Sequence, residues 1–250
     1  MTVNSEENKE QSVQQKCDNT NVGYSDLYPG RKQAPIRSWW SKLFLEEKLE
    51  QIQKTKCELN VYDCIKESPA VKLMMAALKS SGCEIDIGRH ISCEVCDKAV
   101  TGGYDPQLNQ IIICQNTAAD KGRVQSSLVH EMIHMFDYCR YNLNLKNVDH
   151  LACTEIRAAN LCHCSFLGAV TGGTASPFKI KQMHRNCVAD KATRSIMAVQ
   201  DVTKEEAIKS VTRVFHKCYN DLEPIGRRIR RNSEDMKKAY LEASLYGYID

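Results

Sequence analysis

Thirteen cysteines in 250 residues restrict the fold of this chain more than any other feature. This content is high for a cytosolic enzyme but below that of a small disulfide scaffold, so disulfides or metal sites must account for it. The cysteines occur at positions 17, 57, 64, 83, 93, 96, 114, 139, 153, 162, 164, 187 and 218. The one close pair, Cys93 and Cys96, has no second CxxC at zinc-ribbon spacing. The scatter therefore favours disulfides that join separate helices and strands, with at least one thiol left over.

The composition, with 42% hydrophobic and 26% charged residues, is that of an ordinary globular protein and excludes fibrous and wholly disordered proteins. The longest apolar runs, such as residues 73–78, are far shorter than the ~18 residues of a membrane-spanning helix. We therefore expect a soluble or peripherally attached protein. A net charge of +3 is too small to indicate a nucleic-acid partner, and none is expected.

The chain divides into a leader, one domain and a tail. Residues 1–36 are polar, with early acidic residues and no apolar period, which predicts a disordered leader. Its first arginine is Arg31, so it lacks the Arg-rich character of a mitochondrial presequence. Residues 37–225 carry the periodic patterns of a folded domain. Residues 226–250 are rich in Arg and Lys and are expected to form a basic, solvated and flexible C-terminal tail.

Hydrophobic spacing predicts an α+β fold. Two helices come first, one of them at about residues 39–56. The second follows Ser68, which would cap it with Pro69 at its first position, and ends before Gly82. Alternating residues and a β-branched run between positions 83 and 115 predict a small antiparallel sheet. Helical spacing then returns at about 118–141, 150–167, 178–199 and 203–219.

The residues that indicate chemistry are His130, Glu131 and His134, an HExxH motif on a predicted helix. Positions four apart lie nearly above one another on a helix, so both imidazoles can bind one zinc ion at ~2.0–2.1 Å. Glu131 lies one residue further round, where its carboxylate can act as general base on the attacking water. The motif therefore predicts one catalytic zinc per chain, with His130 and His134 as ligands and Glu131 as the catalytic residue.

A catalytic zinc takes three protein ligands, and the sequence leaves the third one open. Glu155, on a predicted helix 21 residues after the second histidine of the motif, is the favoured ligand. Asp137 shares a helix face with the two histidines, but its short side chain suits a hydrogen bond to an imidazole better. His150 and Asp149 are the remaining candidates. An ion pair of Glu155 with Arg157 is the structural alternative.

The motif also favours a zincin-like arrangement, in which a strand beside the cleft pairs with an extended substrate. Residues 110–115, directly before the HExxH helix, are the candidate strand. The predicted fold is therefore α+β and zincin-like, with a small antiparallel sheet, an HExxH helix, further packed helices and disulfide staples.

Several stretches outside the generic motif carry a family resemblance. They are GGYDP at 102–106, QIIICQN at 110–116, HEMIHMFDYCR at 130–140, HLACTEIRAANL at 150–161 and the segments around Cys187 and Cys218. Together they resemble the mitochondrial inner membrane metalloproteases that process and help to assemble an ATP synthase membrane-sector subunit. The resemblance covers roughly residues 57–228.

This resemblance implies a zinc metalloendopeptidase attached peripherally to the intermembrane-space side of the mitochondrial inner membrane. It implies import without a cleaved presequence and oxidation by the disulfide-relay import machinery. The implied substrate is the N-terminal presegment of an ATP synthase membrane-sector subunit precursor, which the protein would also help to assemble. Relatives suggest two alternatives, an assembly chaperone that does not need proteolysis and a nuclear DNA-repair partner associated with the Ku heterodimer.

Three cysteines, Cys17, Cys64 and Cys162, look like additions to the family's set of ten. The family has a short Ser-Gly-Asp stretch where this chain has Cys162, His163 and Cys164. These three neighbours point too far apart on a helix to form a second metal site. The departures concern the disulfide pairing and leave the predicted zinc ligands unchanged.

Overall fold

Helices dominate the computed structural model, which describes residues 45–164, 177–230 and 233–249. The helices are α1 (Leu45–Glu67), α2 (Pro69–Ser80), the short α3 (Ile87–His90), α4 (Lys121–Arg140), α5 (Val148–Ala158), α6 (Pro177–Val199), α7 (Lys204–Asn220) and α8 (Asp235–Glu242). The strands are β1 (Ile91–Glu94), β2 (Gly102–Asp105) and β3 (Gln110–Cys114). A π-helical turn (Ala159–His163) continues α5, and a 3-10 turn (Ala243–Tyr246) follows α8.

The predicted helices are present in the described part of the chain, although the first extends to Glu67, well beyond the predicted end at about residue 56. Local chemistry sets the helix ends. The Ser68 hydroxyl accepts a hydrogen bond from the Val71 amide at 3.4 Å, and Pro69 is the first residue of α2. Gly82 follows its end at φ +81°, a left-handed conformation that side chains disfavour. None of the described helices is both long and apolar enough to cross a membrane. The predicted leader, residues 1–36, lies outside the described residues.

The sheet is mixed, so the prediction of a small antiparallel sheet was wrong. β3 lies in the centre, parallel to β1 and antiparallel to β2. Ile111 of β3 pairs with Ile91 on one side and with Tyr104 on the other. The sequence pattern marks the local β2–β3 hairpin, which is antiparallel, but it says nothing about which strand lies beside β1.

Two features place β3 in the centre. Its isoleucines, residues 111–113, are fully buried, as suits a strand that is covered on both faces. The Cys96–Cys114 disulfide ties the chain just after β1 to the end of β3, and the Asn116 side chain bonds to both backbone groups of Cys96. Because β3 is paired on both sides, its backbone cannot pair with an extended substrate, and the prediction for residues 110–115 was wrong.

Two hydrophobic clusters fill the interior, and the HExxH helix belongs to the first. This first cluster packs α1, α2, the sheet and α4, with Leu73, Met132 and Phe136 among its most buried side chains. The second cluster packs α5, α6 and α7 around residues such as Ile156 and Ile196. Helices α4 and α5 contact one another, so the predicted zinc ligands lie where the two clusters meet.

The C-terminal segment is packed against the domain, although a flexible tail was expected there. Helix α8 contacts α2, and Ala239, Ala243 and Tyr248 are buried in the first cluster. Arg230 binds Asp235 through two nitrogen atoms at 2.8 and 2.9 Å. These apolar side chains hold the segment in place. They are interspersed with basic residues, so the charge pattern of the sequence did not indicate them.

Ten cysteines form five disulfides, so the prediction that most of them pair is confirmed. The pairs are Cys57–Cys93, Cys83–Cys139, Cys96–Cys114, Cys153–Cys218 and Cys164–Cys187. Cys93 and Cys96 belong to different disulfides, which excludes a zinc site at this CxxC. Cys64 and Cys162 have no disulfide partner among the described residues, and both are among the three additions to the family's set. The third addition, Cys17, lies outside the described residues.

We expect the oxidised protein to keep these ten cysteines protected when it is unfolded in denaturant and alkylated without reductant. Cys64 and Cys162 should be modified because neither has a disulfide partner in the part of the chain that the structure describes. Mass spectrometry of the digested protein should recover the five linked peptide pairs. Reduction should also lower the melting temperature, since each closed loop contributes ~2–4 kcal/mol. More than half of the 13 thiols found free would contradict the pairing and favour a reducing compartment.

Candidate active site

The two histidines of the HExxH motif lie on the face of α4 that turns away from the first cluster. On the opposite face, Met132, Ile133 and Phe136 are fully buried and fix the helix in place. The side chains of His130 and His134 keep 14% and 11% of their surface exposed. Both imidazoles therefore remain accessible on a rigidly packed helix.

Glu155 of α5 faces these imidazoles, as predicted for the third ligand. The Nε2 atoms of His130 and His134 are 3.0 Å apart. One oxygen of Glu155 lies 3.6 Å from His130 Nε2, and the other lies 3.5 Å from His134 Nε2. The ligand atoms of the three residues all lie within 4.8 Å of one another, close enough to share a metal ion.

This donor set suits zinc. Two ligands at tetrahedral corners, each ~2.0–2.1 Å from the metal, are ~3.4 Å apart, near the separations seen here. Two imidazoles and one carboxylate also form a common set of catalytic zinc ligands. Among the described residues no Lys or Arg side chain pairs with Glu155, which is 5% exposed. A cation held by the three groups would give this buried carboxylate its counter-charge.

Burial keeps the two imidazoles neutral, which is the form that binds a metal. It lowers the pKa of His134 to about 3 and holds the pKa of His130 well below its usual value, with neighbouring histidines adding to both shifts. Burial also raises the pKa of Glu155 to about 7. A bound cation would oppose this last shift because it favours the carboxylate form.

Residues of α5 and α4 together fix the orientation of the His134 ring through its second nitrogen, Nδ1. Its Nδ1 lies 2.9 Å from the hydroxyl of Thr154, and that hydroxyl donates a hydrogen bond to Asp137 at 2.7 Å. Since the hydroxyl proton goes to Asp137, the hydroxyl oxygen accepts from His134 Nδ1. The proton of His134 is therefore on Nδ1, and its Nε2 lone pair faces the metal position.

The other candidates for the third ligand are engaged elsewhere. Asp137 forms a buried ion pair with Arg157 at 2.8 Å and reaches the His134 imidazole through the hydroxyl of Thr154, not by the direct hydrogen bond that the sequence predicted. This pair also removes the alternative in which Arg157 binds Glu155. Asp149 binds Arg213 and Ser210, and His150 accepts a hydrogen bond from the backbone of Asn144.

Glu131 directly follows His130 on α4 and lies against the edge strand β2. It is 6% exposed, and burial, followed by the charge of Glu155, raises its pKa well above the usual value. A Cβ atom on Gly102 would stand 3.3 Å from Glu131 Oε1 and 2.9 Å from the backbone oxygen of Ile112. Gly102 therefore lets β2 approach the carboxylate without displacing it.

A comparison of the sequence with family models places the chain in a known group of peptidases. The model of the peptidase M76 family matches residues 55–226, which include His130, Glu131, His134 and Glu155. The chain belongs to the peptidase M76 family. Its curated relatives include the mitochondrial inner membrane protease ATP23 homolog of Homo sapiens, 43% identical over 69% of this chain and 70% of the relative.

Other relatives extend this match. The ATP23 homolog of Danio rerio is 41% identical over 88% of this chain and 83% of its own length. The mitochondrial inner membrane protease atp23 of Schizosaccharomyces pombe is 33% identical over 70% of this chain and 94% of its own length. No solved structure matches the chain.

Sequence analysis of this M76 peptidase missed the residues that surround the ligands. His163 lies 2.9 Å from His130, Thr154 orients His134, and Ser195 of α6 lies close enough to Glu155 to lower the pKa of its carboxyl. None of them has a spacing that a motif could report, because they come from three different elements. The one available signal was the position of Thr154 directly before the favoured ligand on an amphipathic helix.

We expect Asp137→Ala to lower the free energy of unfolding of this M76 peptidase by about 3–5 kcal/mol, because it leaves the buried Arg157 without its buried carboxylate partner. Asp190→Ala is the matched control, since it breaks the exposed pair with Arg194 and should cost less than ~1 kcal/mol. Urea unfolding of the oxidised proteins measures both. Equal losses in the two variants would contradict a structural role for the buried pair.

Proposed function

We propose that this M76 peptidase is a zinc-dependent endopeptidase with His130, His134 and Glu155 as metal ligands and Glu131 as general base. The convergence of three suitable donor atoms within 4.8 Å carries the proposal. The imidazoles are neutral, their Nε2 atoms face one another, and the carboxylate of Glu155 bridges them at 3.5 and 3.6 Å. The place of Glu131, next to His130 on α4 and beside the edge strand, supports its separate role.

His130, His134 and Glu155 would hold the zinc, which when bound would supply Lewis acidity toward the scissile carbonyl and the attacking water. The carboxylate of Glu131 accepts the proton of this water and then delivers it to the amine nitrogen of the departing peptide. Burial raises the pKa of this carboxylate, which makes it a stronger base, and a held cation would oppose the shift enough to keep it ionised before it accepts the proton. Thr154 and Asp137 meanwhile hold the His134 ring in its binding orientation.

The names of the relatives support a place for this chain at the mitochondrial inner membrane. Five disulfides support an oxidising compartment, and we propose the intermembrane-space side with peripheral attachment. The family resemblance supports import through the disulfide relay. It also supports the N-terminal presegment of an ATP synthase membrane-sector subunit precursor as the substrate.

We expect the purified protein to bind close to one zinc per chain and His134→Ala to lose it, since two remaining ligands hold zinc poorly. Glu131→Gln should keep the zinc but hydrolyse a presegment peptide at least ~10²-fold more slowly, because only the general base is changed. Metal analysis and cleavage of the peptide measure the two effects.

A histidine outside the site gives the matched control. His216→Ala, on the exposed side of α7, should change neither zinc content nor cleavage. Full zinc content in His134→Ala would overturn the metal site. Cleavage by Glu131→Gln at the normal rate would remove this residue from the mechanism.

A second candidate function is assembly of the same ATP synthase subunit without proteolysis. It is favoured by the extent of the family match, which continues over α7, a helix that contributes no side chain to the ligand set. An assembly role needs a folded surface, whereas hydrolysis needs Glu131.

Expression of Glu131→Gln in cells that lack the native protein separates the two functions. We expect partial recovery of ATP synthase assembly while the presegment stays uncleaved, because the substitution leaves the surface of the protein unchanged. Immunoblots of the subunit and native gels of the complex measure the two outcomes. Loss of assembly at normal protein abundance would show that proteolysis is the essential activity.

A further inference from the structure

His163 stands at the end of the π-helical turn that continues α5, on the side of His130 that faces away from Glu155. Its Nε2 lies 2.9 Å from His130 Nδ1, and the ring centroids are 4.8 Å apart. The π-helical turn adds a residue to the helical repeat and so changes the direction of the side chains at its end. This turn brings the His163 ring against a residue 33 positions earlier in the chain.

The hydrogen bonds around His163 determine which nitrogen of His130 can bind a metal. A neutral imidazole carries one proton, so an Nε2 lone pair that faces a metal requires the proton on Nδ1. His163 Nε2 is the one acceptor within hydrogen-bond distance of His130 Nδ1 among the described residues. If it accepts there, the proton of His163 is on Nδ1, which lies 3.3 Å from the hydroxyl of Ser126.

We propose that His163 is a positioning residue for the metal site, which fixes His130 with its proton on Nδ1 and its Nε2 lone pair toward the metal. The inference rests on the proposed function, since it takes the metal to be bound by His130. Ser126, one turn before His130 on α4, holds His163 in the matching orientation. Each imidazole ligand thus has its own partner, with Thr154 and Asp137 serving His134 in the same way.

Without His163, His130 loses its preference for the tautomer with the proton on Nδ1. The Nδ1 proton of His130 would lack its acceptor in a buried position, which costs free energy. The alternative, with the proton on Nε2, would place a donor where the metal requires a lone pair. Either result weakens metal binding without changing the ligands themselves.

The test is the zinc affinity of the full-length oxidised protein, measured by competition with a chromophoric chelator. His163→Leu should weaken zinc binding by about 10- to 100-fold, the usual effect of removing such a partner. His163→Gln should recover most of the loss, because its side-chain oxygen can accept the same hydrogen bond. His216→Leu, an exposed histidine on α7, is the control and should leave the affinity unchanged.

Ser126→Ala keeps the assignment testable if His163→Leu does not fold. It removes the acceptor of the second hydrogen bond and should weaken zinc binding, though less than the loss of His163. Wild-type affinity in His163→Leu, or in Ser126→Ala where the former is unfolded, would overturn the inference, as would equal losses in His163→Leu and His163→Gln. A wild-type protein that binds no zinc would instead overturn the proposed function, so the two failures are distinguishable.

Discussion

The buried ion pair between Asp137 and Arg157 is the interaction on which the site depends, because it joins the two helices that carry the ligands. Asp137 lies one turn after His134 on α4, and Arg157 lies two residues after Glu155 on α5. The guanidinium group also binds Asp221 and the backbone oxygen of Glu223, while Asp137 accepts from Thr154. These ion pairs and hydrogen bonds offset part of the cost of burying both charges. The same contacts orient one ligand imidazole, so a single network sets both the helix crossing and the chemistry.

This network matters because the five disulfides of the described residues do not cross the boundary where the site lies. Cys57–Cys93 and Cys83–Cys139 tie elements of the first hydrophobic cluster, and Cys153–Cys218 and Cys164–Cys187 tie elements of the second. The fifth, Cys96–Cys114, lies within the sheet region. The histidine ligands come from the first cluster and Glu155 from the second. Disulfides therefore stiffen each half, while helix packing and the polar network hold the two halves of the site together.

The features that were predicted correctly from sequence are those set by residues that lie close together in the chain. Helical spacing, the cap at Ser68 and the HExxH spacing each depend on residues within a few turns of one another. The order of the strands, the packing of α8 and the contact of His163 with His130 depend on long-range packing, which no local pattern records. The placement of Glu155 was predicted only in part. Its residue type and its helix favoured it, but only the crossing of α4 and α5 brings it to the imidazoles.

Two buried glutamates with the same chemistry receive different roles from their positions. Glu155 approaches both Nε2 atoms across the helix crossing, so its oxygens can replace water around a cation. Glu131 follows His130 directly on α4 and points to Gly102 of the edge strand, so it lies beside the cation position and not within the ligand triangle. A cation stabilises the ionised form of the carboxylate that it contacts more than that of a carboxylate further away. Under the proposed function, a bound cation would keep Glu155 ionised and leave Glu131, whose pKa burial raises, as the group that exchanges a proton.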